Sequence, residues 1–177
     1  GLRIYARAHM RAGAHGFPVL QALADEAMAL VRLSRGEYRE ALAGLEASRR
    51  AYERLDMPQH LAIAEKQLAD AYLELRLLPE AVALFDQALE RLQHLDVPDE
   101  QAWTFSQRGR ALALLGERGA AATSFEKAEH LFAAQGIGVG EAVDLRGRES
   151  PCQQEGWEEW NGHDCELLQE HLGREGD

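Results

Sequence analysis

The sequence predicts an all-α solenoid built from about three and a half antiparallel helical hairpins. Of the 177 residues, 55 are alanine or leucine and only 11 are valine, isoleucine or threonine. Because strands recruit β-branched residues and helices favour alanine and leucine, this composition argues against a sheet. The second observation is an internal repeat with a period of about 40 residues. The third is a short turn that recurs at the same spacing.

The repeat is clearest at small and large apolar positions. Alanine recurs at intervals of 40 residues, at Ala41, Ala81 and Ala121. A larger side chain follows four positions after each alanine, at Leu45, Phe85 and Phe125. A serine or alanine follows three positions after that, at Ser48, Ala88 and Ala128. The turn, which carries proline or glycine, recurs at residues 16–18, 56–58, 96–98 and 136–138. The chain therefore opens inside a repeat, with Tyr5 and Ala8 at the large and small positions.

Each period divides into two helices separated by a break that contains glycine or proline. Apolar residues recur at helical spacing along the first helix of a unit, as Ile63, Leu68 and Tyr72 do. Proline and acidic residues, such as Pro79 and Glu80, open the second helix, where they suit the first helical position and the positive end of the helix dipole. That helix ends at the Asp-x-Pro turn, because proline lacks an N–H and restricts the residue before it. We predict helices over residues 1–14, 19–34, 37–54, 60–75, 79–94, 99–114 and 118–134.

Small residues also recur on the first helices, at Ala29, Ala69 and Gly109. Together with the alanines of the second helices, they let two antiparallel backbones come close. The larger side chains then fill the space between one hairpin and the next. Since a single hairpin cannot cover its own apolar face, neighbouring hairpins must stack.

This pattern resembles the tetratricopeptide repeat family. The resemblance is carried by small and aromatic positions in each unit and by a glycine or proline near its breaks: Ala29, Gly36, Tyr38, Ala41, Leu45, Pro58, Ala69, Tyr72, Ala81, Phe85, Ala88, Pro98, Gly109, Leu112, Gly116, Ala121, Phe125 and Ala128. The usual period is about 34 residues. The longer period of this chain is similar to that of the longer-helix variant found in bacterial regulators and in arrays attached to caspase-like (CHAT) peptidases. The resemblance covers residues 1–138 and implies a right-handed superhelical array that binds peptides or proteins and has no chemistry of its own.

In this family the first helix of each unit lines a concave groove. The resemblance therefore implies a binding groove formed by Glu26, Leu30, Lys66, Asp70, Trp103, Ser106 and Arg110, flanked by Leu23, Leu33, Ile63, Leu73 and Ala113. Lys66 and Arg110 would receive a carboxylate of the partner, and Trp103 would be an aromatic anchor. The alternative interpretation is that the charges form a solvated helix face and that Trp103 belongs to the core between repeats.

The predicted array spans residues 1–146, with partial units at 1–18 and 139–146 around full units at 19–58, 59–98 and 99–138. The acidic tail, residues 147–177, contains no alanine and leaves the repeat pattern. It is either a segment that caps the open end of the array or a disordered or foreign segment, and both interpretations stay open. A sharper hypothesis is self-association, in which Trp157 or Trp160 enters the groove of a neighbouring molecule and the acidic charge meets Lys66 and Arg110.

The charge is unevenly distributed, and it limits the classes of partner. The net charge is −11, and the residues from 139 onward hold 11 acidic side chains against three basic ones. Without a basic stripe we expect no nucleic-acid partner.

No apolar run approaches the roughly 18 residues of a membrane span, and no signal peptide is visible, so we expect a cytoplasmic protein without a membrane partner. The absence of an initiator methionine leads us to expect a fragment of a longer protein.

Candidates for catalysis or metal binding are few. Cys152, His163, Cys165 and His171 are clustered but lack the close cysteine pair of structural zinc sites. His15 and Cys152 are the candidates for a peptidase dyad, and nothing orients the one toward the other. We therefore predict a non-enzymatic interaction module with no catalytic residues, no metal and no cofactor. The alternative hypotheses are a regulatory repeat portion of a larger bacterial enzyme (a CHAT-type peptidase) or transcriptional regulator, and a purely structural spacer.

Overall fold

The computed structural model describes residues 2–136, and the regular secondary structure in that range is entirely α-helical. The seven helices in this range are α1 (Leu2–Ala14), α2 (Pro18–Leu33), α3 (Tyr38–Arg54), α4 (Pro58–Glu74), α5 (Leu78–Leu92), α6 (Pro98–Leu115) and α7 (Arg118–Ala134). Each boundary lies within two positions of the predicted one. The all-α prediction is confirmed over these residues.

The helices keep a strict register along the chain. The helices from α2 to α7 begin at positions 18, 38, 58, 78, 98 and 118, so that each pair of helices occupies one period. None of these six helices has a side-chain hydrogen bond at its N-cap. Four of them, α2, α4, α5 and α6, instead carry proline at the first or second helical position. Proline sets φ near its helical value and lacks an N–H that would need a partner, which fixes where these helices begin.

The turns between helices follow the same register. A residue with positive φ stands at each of six turn positions: Gly16, Gly36, Asp56, Arg76, Gly116 and Gly136. Four of the six are glycine, which adopts the left-handed conformation without steric cost and commonly ends helices. Position 96 departs from the series, because α5 stops at Leu92 and the chain turns through a hydrogen bond from Leu95 N–H to the Leu92 carbonyl, at 3.0 Å.

Consecutive helices pack against each other as antiparallel neighbours. Within the described residues, α2 pairs with α3, α4 with α5 and α6 with α7 to form hairpins, and α3–α4 and α5–α6 contacts join one hairpin to the next. Helix α1 packs on α2, and α4 also touches α6 directly. Nearly all contacts are therefore made between neighbours in sequence, as in a repeat protein.

The core is the same set of contacts repeated one period later. Leu45 of α3 packs between Ala29 of α2 and Ala71 of α4. Phe85 of α5 packs in the same way between Ala69 of α4 and Ala111 of α6. The large residue on α3 and the one on α5 thus each fill the space between their own first helix and the next one, as the sequence predicts.

The third hairpin shows why small residues are needed at this contact. A Cβ atom on Gly109 would lie 2.7 Å from the Phe125 ring, closer than side chains tolerate. Gly109 therefore provides the room that the aromatic ring occupies between α6 and α7.

Candidate interaction surface on the first helices

The helices α2, α4 and α6 are the first helices of successive hairpins, and they hold all seven predicted groove residues. Positions separated by one period, such as Leu30, Asp70 and Arg110, stand at the same place in their helices. Because α4 also contacts α6 directly, side chains of neighbouring first helices reach each other. We call the seven residues the first-helix face: Glu26, Leu30, Lys66, Asp70, Trp103, Ser106 and Arg110.

Lys66 is the most buried charged residue of this face. It is 8% exposed, and its ammonium forms an ion pair with the carboxylate of Glu100 in the first turn of α6. A buried ammonium requires such a partner, since an unpaired charge is costly away from water. The partner carboxylate that the sequence predicts for Lys66 would therefore have to displace Glu100.

A second polar link between α4 and α6 is centred on Gln107, which is buried. The Gln107 Nε2 donates a hydrogen bond of 3.0 Å to Asp70 Oδ1, and its Oε1 accepts one of 2.7 Å from Arg110 Nη1. Its amide thus orients an acidic and a basic side chain at once. Glu74, one turn beyond Asp70, shares this environment: desolvation raises the pKa of Glu74, Asp70 raises it further and Arg110 lowers it.

Glu26 is held by the second helix of its own hairpin. The phenol of Tyr52, on α3, donates a hydrogen bond to the Glu26 carboxylate. Tyr52 is fully buried and stacks at a tilt on His60, with ring centroids 5.2 Å apart. Desolvation raises the pKa of Tyr52, and the hydrogen bond to Glu26 raises it further, so the phenol stays protonated.

Trp103 and Leu30 are the large apolar side chains of the face. Trp103 is half-buried and meets Phe132 of α7 edge to face, with ring centroids 5.0 Å apart. It therefore contributes to the packing of the third hairpin as well as to the face. Leu30 is 37% exposed. Ser106 is half-buried, and Leu23 is exposed beside α1, where it lines a cleft.

The sequence predictions omit three partners of the face residues: Glu100, Gln107 and Tyr52. The links between α4 and α6 join residues 34 and 37 positions apart, slightly less than one period. Comparing residues one full period apart therefore misses them. The signal that could have found them is a set of complementary polar residues a little under one period apart. A spacing of 26 joins helices within a hairpin, both at Glu26–Tyr52 and at Glu65–Arg91.

Two other kinds of site are absent from the described part of the chain. None of the helices within residues 2–136 combines the length and the apolar character that crossing a bilayer requires. Over the same residues no group of three acidic, histidine or cysteine side chains is placed to hold a metal ion. The predictions that involve Cys152, Trp157, Trp160 and the tail as a whole lie outside the described residues.

Part of the chain is similar to a known family, and the fold is similar to that of a solved structure. Residues 20–94 match the sequence profile of the tetratricopeptide repeat family. No curated protein matches the sequence. Among solved structures, the crystal structure of BtubC (BKLC) from P. vanneervenii is similar, with a TM-score of 0.71 and 19% sequence identity over 76% of this chain and 56% of that one. This chain thus spans little more than half the length of that protein. Residues 20–94 are thus similar in sequence to tetratricopeptide repeats, and the described helices pack one after another as antiparallel hairpins in a tetratricopeptide-repeat-like array.

Proposed function

We propose that the array is a protein–protein interaction module whose first-helix face binds an extended peptide or a helix of a partner protein. Tetratricopeptide repeat arrays generally bind proteins, and stacked repeats offer long continuous surfaces for this purpose. The observation that carries the proposal is the polar network between α4 and α6. Leu30, which stands on α2 at the position equivalent to Asp70 and Arg110, is exposed.

The network supports binding because it holds its side chains in place before a partner arrives. Asp70, Gln107 and Arg110 are fixed by hydrogen bonds of 3.0 and 2.7 Å. Side chains that are already ordered lose little further entropy on binding. We propose that an apolar side chain of the partner packs on Leu30 and that its polar groups contact Asp70 and Arg110.

The test begins with a peptide library selected against the immobilised protein. The affinity of a selected peptide is then measured by calorimetry for the parent and for Leu30→Glu. We expect Leu30→Glu to weaken binding about tenfold or more, or about 1.4 kcal/mol. The matched control is Leu77→Glu, at a residue of similar exposure (41% against 37%) in the turn between α4 and α5. Equal affinities for both variants and the parent would contradict the proposal.

As the alternative we propose that the array is the regulatory repeat portion of a larger bacterial enzyme, such as a CHAT-type peptidase, or of a transcriptional regulator. The spacing between equivalent helix starts, Pro18, Pro58 and Pro98, supports this alternative, because it is similar to that of the longer-helix variant. The full open reading frame tests it. An adjoining catalytic or DNA-binding domain would support it, whereas a frame that encodes helical repeats alone would contradict it.

A further inference from the structure

We propose that the partner segment on the first-helix face carries a basic side chain, preferably arginine, which binds along α4 at Gln67, Asp70 and Glu74. This inference rests on the proposed function and names the chemistry that the face selects. The three residues follow one another at intervals of three and four positions, so they lie on one side of α4. We call them the acceptor row, because their side chains offer amide and carboxylate oxygens to a donor.

Gln67 carries an acceptor that the described part of the protein leaves unused. Its side chain is half-buried, and its Oε1 atom is shielded from solvent and has no hydrogen-bond partner among residues 2–136. A buried polar atom without a partner destabilises the folded state, so it indicates a missing donor. The terminal torsion of a glutamine is broad, and the amide can therefore turn toward a group that approaches from solvent.

The third hairpin shows which group is missing. Gln107 stands one period after Gln67, and its Oε1 accepts a hydrogen bond of 2.7 Å from Arg110, three positions further on. The residue three positions after Gln67 is Asp70, whose carboxylate accepts hydrogen bonds and donates none. The second hairpin thus has the glutamine of this arrangement without its guanidinium. An arginine of the partner would supply there what Arg110 supplies in the next hairpin.

The residue that precedes each glutamine by 37 positions also differs between the two hairpins. For Gln107 this residue is Asp70, whose Oδ1 accepts a hydrogen bond of 3.0 Å from the Gln107 Nε2. For Gln67 it is Leu30, which is exposed and has no polar side-chain atom. We therefore expect the arginine of the partner to have an apolar neighbour that packs on Leu30.

The charge of the acceptor row favours a cation over a neutral donor. Asp70 and Glu74 are like charges one helical turn apart, and Glu74 is the last residue of α4, at the negative end of its dipole. Desolvation and Asp70 raise the pKa of Glu74 and Arg110 lowers it, with a net increase. Arg110 thus compensates this charge only in part, and a second cation would stabilise it. Arginine suits the row better than lysine, because its planar fork donates to two oxygens at once.

The experiment uses a peptide selected from a library against the immobilised protein, here called the parent peptide, and two synthetic versions of it. In one version the basic residue is replaced by citrulline, which resembles arginine but carries no charge, and in the other by glutamate. Calorimetry measures the affinities at low and at high salt. We expect citrulline to weaken binding about tenfold and glutamate about a hundredfold. Salt should weaken the parent peptide more than the citrulline version.

A variant of Glu74 locates the basic residue of the peptide. Glu74→Gln is expected to weaken the parent peptide about tenfold but to change the affinity for the citrulline version little, because that version has no charge to lose a partner. Glu90→Gln, at an exposed glutamate of α5, is the matched control. It should bind both peptides as the unchanged protein does.

A variant of Gln67 separates a role in binding from a role in folding. Gln67→Met removes the acceptor that lacks a partner, so we expect it to raise the midpoint of thermal unfolding by about 2 °C. The same variant should weaken the parent peptide about fivefold. Gln107→Met is the matched control, because it removes an amide that has both partners, and its midpoint should fall.

The failure of this inference can be told from the failure of the proposed function by Leu30→Ser, which removes the apolar contact without adding charge. Three results would overturn the inference alone, provided that Leu30→Ser weakens the selected peptides. They are peptides without a basic residue, equal affinity for the parent and citrulline versions, and equal effects of Glu74→Gln and Glu90→Gln. A library without any binding peptide, or peptides that Leu30→Ser does not weaken, would contradict both the inference and the proposed function.

Discussion

The ammonium of Lys66 and the carboxylate of Glu100 form an ion pair that joins the first helices of two successive hairpins. Only 10% of the Lys66 side chain and 28% of the Glu100 side chain are exposed. The pair is therefore shielded from solvent and salt more than an ordinary surface pair. It holds α4 beside α6, and so it sets the surface on which we propose that a partner binds.

Removing the carboxylate of this pair should destabilise the protein. In Glu100→Gln the buried Lys66 keeps its charge without an opposite one, and we expect a loss of about 2 kcal/mol in the free energy of unfolding. Glu37→Gln is the matched control, because Glu37 and Arg35 are exposed and lie 4.0 Å apart. The control should cost less than about 0.5 kcal/mol. Urea denaturation measures both, and equal losses would show that the Lys66–Glu100 pair contributes no more than a surface pair.

A buried ion pair between α4 and α5 should make stability depend on pH. Glu65 is fully buried, and Arg91 Nε lies 2.9 and 3.1 Å from its two carboxylate oxygens. Burial raises the pKa of Glu65 and the hydrogen bond from Arg91 lowers it, with a net increase. Arg91→Met removes the lowering effect, so the pKa of Glu65 should rise further. We expect this variant to lose about 3 kcal/mol near neutral pH.

The sign of the pH effect follows from that pKa. The folded variant binds the proton of Glu65 more tightly than the unfolded chain does, so stability is present at low pH and is lost as pH rises through the folded pKa. The deficit of Arg91→Met relative to the parent should therefore shrink as the pH falls from neutral toward the unfolded pKa of a glutamate. Glu65→Gln with Arg91→Met has no group that titrates at these two positions and is the control. A deficit that grows on acidification would contradict the assignment.

The contribution of the hydrogen bond between Tyr52 and Glu26 to the stability of the protein should be measurable by removing the phenol. Tyr52→Phe keeps the ring in the core but leaves the half-buried Glu26 carboxylate without its donor. We expect a loss of about 1.5 to 2 kcal/mol. Tyr38→Phe, at an exposed ring, should be neutral within about 0.5 kcal/mol. Thermal unfolding of both variants checks the difference, and an unchanged midpoint for Tyr52→Phe would rule out a stabilising bond.

Two glycines at the junction of α6 and α7 offer a test of the turn. Gly116 has a φ of +83°, whereas Gly119 lies in α7, and a Cβ atom would meet nothing within 4 Å at either position. Gly116→Ala should cost about 1 kcal/mol, since alanine disfavours the left-handed conformation. Gly119→Ala should stabilise the protein by about 0.5 to 1 kcal/mol, because alanine favours a helix. Changes of the same sign in chemical denaturation would contradict the turn geometry.

The period and the packing of the hairpins could be predicted from sequence because they depend on local rules. Pro58, Pro98 and the glycines near the turns fix where the helices begin and end. Ala29, Leu45 and their equivalents fix the core, because a close-packed interior needs a small residue on one helix wherever a large residue of the neighbouring helix packs against it. These constraints recur in every repeat and are visible without a structure.

The roles of the groove residues could not be predicted in the same way. Lys66 and Arg110 are basic residues on a helix face, and their sequence positions suggest accessible charges. Their partners, Glu100 and Gln107, are found only once the packing is known. Which residues of α6 lie opposite a given residue of α4 depends on how the two helices are offset along their axes. That offset results from the packing of all three hairpins, and no local pattern of residues records it.

The most direct test of the proposed function is amide hydrogen exchange of the protein with and without a peptide selected from the library. We predict added protection in α2, α4 and α6, around Leu30, Asp70 and Arg110, and little change in α3, α5 and α7. Protection confined to the second helices, or to α1 alone, would contradict a binding surface on the first helices.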